Sequence, residues 1–301
     1  MTVAELVQAM NDRLQAAGVA FGHGTTNAWD EAAWLVLWRL GLPLDALDAL
    51  DETADDAVTP ARQAEVEALV ALRISTRQPA AYLTGEAWLQ GVPFFVDERV
   101  IVPRSLIAEP LADGTLDVWL NPATRRVLDL CTGNGSLAVL AAMAWPEVTL
   151  DASDLCADAL AVAQRNVDRH GLGDRISLHQ GDGLAALDVA HRGRYDLILC
   201  NPPYVNRRAM AALPPEFLAE PRLALDGNTD GGDDGMDFVR RLLAQAGGAL
   251  NPGGVLVLEV GHERAHFESA FRRLSAVWLP TSAGDDQVLL VSREALVKRK
   301  P

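Results

Sequence analysis

Asn201-Pro-Pro-Tyr204 places a carboxamide, two pyrrolidine rings and a phenol in consecutive positions, directly after the apolar run Tyr195-Asp-Leu-Ile-Leu-Cys200. Such a set can hold an NH2 group. The Asn201 side-chain oxygen and the Pro202 backbone carbonyl are two acceptors that could take both N–H bonds of a substrate and aim its nitrogen lone pair at an electrophilic carbon. An amide nitrogen needs that help, because its lone pair is delocalised into the carbonyl. Proline adds no competing donor and stiffens the segment. Tyr204 can pack on the flat amide. Where the electrophile is already reactive, positioning carries most of the task.

Upstream, Val127-Leu-Asp-Leu-Cys-Thr-Gly-Asn-Gly-Ser136 reads as strand, glycine loop and helix start. Gly133 and Gly135 let the backbone approach a ligand closely, and the helix start offers free N–H groups to a carboxylate or phosphate. Asp154 ends the next apolar run and Asp182 the one after it. At the end of a second strand a carboxylate can accept both hydroxyls of a ribose, a need shared by NAD and S-adenosylmethionine. At the end of a third it can accept from an adenine amino group. The bland alternatives are a helix cap for Asp154 and an Asp-Gly turn for Asp182. Asp129 supports the loop or meets a cofactor ammonium group. The loop alone also fits the relaxed dinucleotide fingerprint, with Asp154 about 20 residues on. A dehydrogenase, however, has no use for the acceptors of Asn201-Pro-Pro-Tyr204.

These residues need a scaffold that gathers distant segments at one edge. From Arg125, the runs RRVLDLC, VTLDASD, ISLHQGD, YDLILCN and VLVLEV alternate with helical stretches near 136–145, 156–170 and 236–250. That is the rhythm of a doubly wound sheet covered by helices on both faces, whose ligands bind at the carboxyl ends of the strands. A helix near 263–274 and the strands AVWLP and QVLLVSR follow. Ahead of the sheet, residues 1 to about 85 read as helices. Gly41 and Pro43 stop one of them, and Thr59-Pro60 opens another with a cap and a first-turn proline. Trp29, Trp34 and Trp38 are expected in the core of this bundle. Residues 92–104, VPFFVDERVIVPR, are expected to form a hairpin of two short strands around Asp97-Glu98. The expected division is a helical substrate-recognition domain at 1–88, a β-hairpin linker at 89–104 and the domain carrying the site at 105–301.

The 301 residues carry a formal net charge of -15, with a pI near 4.8. So acidic a chain repels phosphate backbones and suits a basic partner, so no direct nucleic-acid binding is expected. Composition is ordinary for a globular protein, and the length buries a core without a disulfide staple. Cys131, Cys156 and Cys200 form no CxxC pair and read as small buried hydrophobes of a reducing compartment. The amphipathic start MTVAELVQAMNDRLQAAG lacks the basic and apolar regions of a signal peptide, and no run is long enough to span a bilayer. A soluble, cytoplasmic protein with no membrane contact is expected.

Asp129-Leu-Cys-Thr-Gly-Asn-Gly-Ser136 together with Asn201-Pro-Pro-Tyr204 resembles the N5-glutamine methyltransferases of translation proteins. The resemblance spans nearly the whole chain. Pro79-Ala-Ala-Tyr-Leu-Thr-Gly85 and Phe95-Val-Asp-Glu-Arg-Val-Ile-Val-Pro-Arg-Ser105 are similar to that family's domain junction, and Glu220-Pro-Arg-Leu-Ala-Leu-Asp-Gly227 to its loop after the catalytic motif. It implies an α/β fold: a seven-stranded Rossmann-like class I methyltransferase sheet with a small N-terminal helical domain and a β-hairpin linker. It implies S-adenosyl-L-methionine as cofactor, leaving as S-adenosyl-L-homocysteine. Asp129, Cys131, Thr132, Gly133, Asn134, Gly135, Asp154, Leu155, Asp182, Gly183 and Asn201 would bind it. Asn201, Pro202 and Tyr204 would be catalytic, and Pro203 would join them against the substrate.

Two branches of the family differ in substrate. Val102-Pro-Arg-Ser-Leu-Ile-Ala-Glu109 and the ending Trp278-Leu-Pro-Thr-Ser-Ala-Gly284 resemble the branch acting on the third large-subunit ribosomal protein, where the release-factor branch typically has proline after that arginine. There are departures. Leu106 stands where the ribosomal branch usually has proline, Gly183 where some relatives carry an apolar or aromatic residue, and Asn228–Gly235 is unusually long and acidic.

Three further features weigh less. His262-Glu-Arg-Ala-His266 spells the H-E-x-x-H zinc pattern, but no third ligand is evident and no metal is expected. Asp51-Glu52 with Asp55-Asp56 is an acidic loop that is solvated or steers a basic partner. Lys298-Arg-Lys300 reads as a solvated tail. The rival functions are an adenine-N6 methyltransferase, which would need a basic track, and a non-catalytic assembly module, which would have no need to keep Asn201.

Overall fold

The computed structural model describes residues 1–44, 57–187 and 195–298. The acidic 51–56 loop and the end of the basic tail lie outside them. Helix α1 (Val3–Ala16) opens with a capping box: Glu5 N donates to the Thr2 hydroxyl (3.2 Å) and Thr2 N to the Glu5 carboxylate (2.8 Å). Such a cap is worth about 1 kcal/mol. Helix α2 (Ala28–Leu40) ends on left-handed Gly41, and α3 (Pro60–Thr76) starts from the Thr59 cap. Leu6, Met10 and Leu14 meet Leu35, Val36, Val66 and Val70 in one core. Trp34 packs against this core as expected, but Trp29 and Trp38 do not join it. Ala32, Ala33, Leu35 and Val36 take the inward face of α2, leaving Trp34 and Trp38 half-buried and Trp29 39% exposed. Through this bundle runs a buried ion pair, Arg73 to Glu31 at 2.8 Å. Removing one partner of such a pair costs roughly 3–5 kcal/mol.

Helix α4 (Ala80–Thr84) leads into a hairpin of β1 (Glu86–Leu89) and β2 (Val92–Phe95). Its turn is Gln90-Gly91, both at positive φ (50° and 73°), the two-residue turn that matches strand twist. The hairpin therefore sits earlier than the sequence suggests. Asp97 instead folds back on Arg99, taking both its backbone N–H (3.1 Å) and its guanidinium (2.6 Å). Residues 96–104 leave the hairpin as a strap.

The rest alternates: α5 (Ala108–Ala112), β3 (Arg126–Leu130), α6 (Ser136–Ala144), β4 (Thr149–Asp154), α7 (Ala157–Arg169), β5 (Ile176–Gln180) and β6 (Tyr195–Cys200). Three single-turn helices follow, α8 (Arg207–Met210), α9 (Pro215–Leu218) and α10 (Arg222–Leu225). Then come α11 (Asp237–Ala249), β7 (Leu250–Glu259), α12 (Arg264–Ala270), β8 (Val277–Thr281), β9 (Gly284–Ser292) and α13 (Arg293–Lys298). The strands form one seven-stranded sheet in the order β5-β4-β3-β6-β7-β9-β8. The first five are parallel, and β9 runs antiparallel to both neighbours. Leu137, Leu140 and Leu111 cover one face; Phe238, Leu242, Leu243 and Phe267 cover the other. Among the described residues no helix is long and apolar enough to cross a membrane.

Candidate active site

Strand order reverses between β3 and β6, and sheets of this type open a crevice at the carboxyl ends of the strands beside that reversal. Register brings the chemistry there. Leu130 lies opposite Cys200 and Ser153, and Asp154 opposite Gln180. The residues that follow these strand ends therefore share one edge: the glycine loop, Leu155, Asp182-Gly183 and Asn201. One cavity at that edge is lined by Cys131, Gly133, Asp154, Leu155, Asp182, Gly183, Asn201 and Pro203.

The loop is built for close approach. Gly133 (φ 55°) has open space where a Cβ would stand, while at Gly135 (φ 82°) one would lie 3.2 Å from the Ala163 Cβ. Asn166, fully buried, binds Phe95 through both its backbone groups and donates to the Asn134 carbonyl at 2.9 Å, tying hairpin to loop. The Asp154 carboxylate accepts from Gly133 N (3.0 Å) and Cys156 N (2.9 Å), so it braces the loop rather than capping α7. Asp182 faces Arg241 at 3.5 Å. Asp129 lies beneath the loop, outside the cavity wall, and accepts from the Thr132 hydroxyl (2.5 Å) and Ala138 N (3.1 Å). Burial pushes its pKa up to about 7, against those two bonds. Its Oδ1 has no partner among the described residues. Thr132, Asn134 and Gly135 likewise shape the loop from behind.

On the other side of the crevice, Asn201 is half-buried, and its side chain has no hydrogen-bond partner among the described residues. Pro202 is buried. Tyr204 is not where the sequence places it. It is not part of the cavity wall; its hydroxyl donates inward to Glu259 at 3.1 Å. Burial, then the Glu259 charge, push its pKa well above the usual phenol value, so it stays a donor.

The segment after Tyr204 is clamped by the N-terminal bundle. Glu220 accepts from Arg104 through two bonds (2.6 and 2.7 Å) and from Val102 N (2.9 Å), and His23 Nε2 lies 3.4 Å away. Glu216 accepts from Ala20 N (3.0 Å) and Arg77 (3.1 Å). Burial alone would raise the Glu220 pKa, but the Arg104 charge and the hydrogen bonds from His23 and Arg104 together overcome it and hold the group at about 2. Because the folded value lies below the unfolded one near 4.5, this contribution is present above pH 4.5 and lost as pH falls towards 2. Glu220→Gln should therefore cost about 3 kcal/mol at pH 7. The gap from wild type should narrow as pH falls from 4.5 towards 2 in urea melts; a gap that stays constant across that window would refute the assignment.

A methyltransferase small domain model matches residues 114–229. The ribosomal protein uL3 glutamine methyltransferase of Bordetella pertussis is 53% identical, over 98% of this chain and 96% of its own length. The chain belongs to the ribosomal protein uL3 glutamine methyltransferases. The family's Burkholderia pseudomallei member is 50% identical over 98% and 95% of the two chains. The hMettl16 catalytic domain solved with MAT2A 3'UTR hairpin 6 shares the fold alone, with a TM-score of 0.50 and 14% identity over 78% of this chain and 81% of that one.

This methyltransferase also uses residues the motifs do not mark. Phe238, from α11, lines the cavity, and its ring lies 3.4 Å from where a Gly183 Cβ would stand. A side chain missing from the loop is thus matched by a ring from the facing helix. The acidic 228–235 stretch has local cations: Arg240 pairs with Asp234 and Arg241 with Asp230. Gly235 in it lets the backbone pass the Tyr204 carbonyl, which a Cβ would meet at 2.1 Å. In the H-E-x-x-H string, Glu263 accepts from Asn206 (2.6 Å) and pairs with His266 (2.5 Å). The string is split between a short 3-10 turn and α12.

Proposed function

We propose that this methyltransferase transfers a methyl group from S-adenosylmethionine to the side-chain amide nitrogen of a glutamine in the ribosomal protein uL3. The observation that carries the reading is the single cavity shared by Gly133, Asp154, Asp182 and Asn201. The residues fit the cofactor. The open space at Gly133 suits close backbone approach, Asp154 and Asp182 supply carboxylates for ribose hydroxyls and an adenine amino group, and Asp129 braces the loop from beneath. When bound, the cofactor supplies a methyl group already activated by its sulfonium.

The chain's own residues do the rest. The Asn201 side-chain oxygen and the Pro202 carbonyl accept the two amide N–H bonds, turning the nitrogen lone pair towards the cofactor side of the cavity. Pro203 walls the same space and leaves no competing donor. Asn201 borders both halves of the cavity, but its side-chain acceptor is committed to the substrate. Cys131, Leu155 and Gly183 line the cofactor half; Thr132, Asn134 and Gly135 hold its loop. The helices of residues 1–88 select the protein substrate, the strap and hairpin of 89–104 couple them to the site, and 105–301 performs transfer. A cytoplasmic protein meets uL3 as it is made.

Relatives at 50–53% identity that act on uL3 favour it over release factors. Free uL3 should be methylated faster than uL3 in intact large subunits, because assembly buries its loops in RNA and a chain of net charge -15 is repelled there. The test offers purified release factor, free uL3 and intact subunits in competition at low and physiological salt. Preferred labelling of the release factor would overturn the substrate; equal labelling of intact subunits would overturn the electrostatic argument.

A further inference from the structure

We infer that Ser105 and Glu259 form a buried bracket that positions Tyr204, and through it the Asn201–Tyr204 turn, for the substrate amide. This rests on the reading of Asn201 and Pro202 as acceptors. Glu259 ends β7 one residue beyond Leu258, the strand partner of Cys200, so its carboxylate lies beside the turn that begins at Asn201. It is 4% exposed and fully engaged. One oxygen takes the Tyr204 hydroxyl (3.1 Å); the other takes the Ser105 hydroxyl (2.6 Å) and Leu106 N (2.9 Å). Ser105 Oγ is itself fixed by Ile107 N at 3.3 Å.

The space around Tyr204 is cleared for this geometry. Gly261 (φ 51°) leaves out a Cβ that would lie 2.5 Å from the ring. The same strap that carries Ser105 also holds Glu220, through Val102 N and Arg104. Residues 102–106 therefore grip the two acids that flank the turn, one on the segment after it and one on the neighbouring strand.

A buried carboxylate held only by neutral donors is a poor way to gain stability, since apolar residues of similar volume usually do as well or better. What it gives is direction. It is an acceptor whose two oxygens point at fixed places, and one of its three donors belongs to the turn that orients the substrate. Tyr204 is then a positioning residue rather than a wall for the amide, and Ser105 acts through it.

The test compares Ser105→Ala, Ser105→Thr, Tyr204→Phe and the Ser105→Ala/Tyr204→Phe double variant. Methyl transfer to free uL3 is measured with cofactor affinity by calorimetry, thermal melting, and amide exchange at Tyr204 and Val205. Ser105→Ala should lower kcat about tenfold, with the KM for uL3 and cofactor affinity within about threefold of wild type. Amide exchange at Tyr204 and Val205 should rise. Ser105→Thr, which keeps the hydroxyl, should recover kcat to within about threefold. The double variant should be no worse than the poorer single one, because both break one chain of contacts. Unchanged kcat in a folded Ser105→Ala, losses that multiply in the double variant, or a loss that vanishes at temperatures where every variant is folded would each overturn the bracket. A wild-type enzyme that binds cofactor but labels no uL3 would sink the proposed function, and the bracket with it.

Discussion

Asn201→Ala should lower methyl transfer about a thousandfold while changing cofactor affinity by no more than about threefold. The substitution removes one of the two acceptors that hold the amide N–H bonds. A conjugated nitrogen left to rotate presents its lone pair to the wrong side for most of its lifetime. The side chain has no hydrogen-bond partner among the described residues, so its loss should leave the fold intact. Single-turnover kinetics with bound cofactor isolate the transfer step, and calorimetry gives the affinity. Asn201→Asp keeps an acceptor but adds a charge in a half-buried position and should be nearly as slow. Near-normal single-turnover rates in Asn201→Ala would remove the residue from the mechanism.

Asp154→Ala should show the opposite signature: a cofactor affinity weaker by about a hundredfold or more, with transfer at saturating cofactor reduced far less. Two charge-assisted bonds to ribose hydroxyls are at stake, each worth about 1.5–3 kcal/mol. The carboxylate also holds Gly133 N at 3.0 Å and Cys156 N at 2.9 Å, so its loss slackens the glycine loop too. Asp154→Asn keeps one acceptor and should fall between, near tenfold. Titration of each variant with S-adenosylhomocysteine avoids turnover. Wild-type affinity in Asp154→Ala would place the ribose elsewhere.

The parallel core of the sheet was legible because each buried strand is a continuous apolar run ended by a polar residue. Those endings, Asp154, Asp182 and Asn201, are the residues that register brings to one edge. Glu259 ends the run VLVLEV in the same way, and that signal was there to be read. It was hidden because its partners, Ser105 and Tyr204, lie 154 and 55 residues away. The misplaced hairpin has a local cause. Asp97-Glu98 looks like a turn, but only Gln90-Gly91 supplies the two positive φ values that a two-residue hairpin needs. Trp29 and Trp38 of α2 lie outside the core because close helix packing favours Ala32 and Ala33 on the inward face, while Trp34 packs against it. The clamp from Glu216 and Glu220 to Ala20, His23 and Arg77 joins segments that no short-range pattern links.

The most direct test of the central claim is peptide mass spectrometry of purified free uL3 after incubation with this protein and S-adenosylmethionine, with Asn201→Ala run in parallel. The expected result is a single added methyl group, located by fragmentation on the side-chain amide of one glutamine, and absent with the variant. A methyl group on lysine, arginine or a terminus, an unmodified uL3, or equal modification by Asn201→Ala would contradict it.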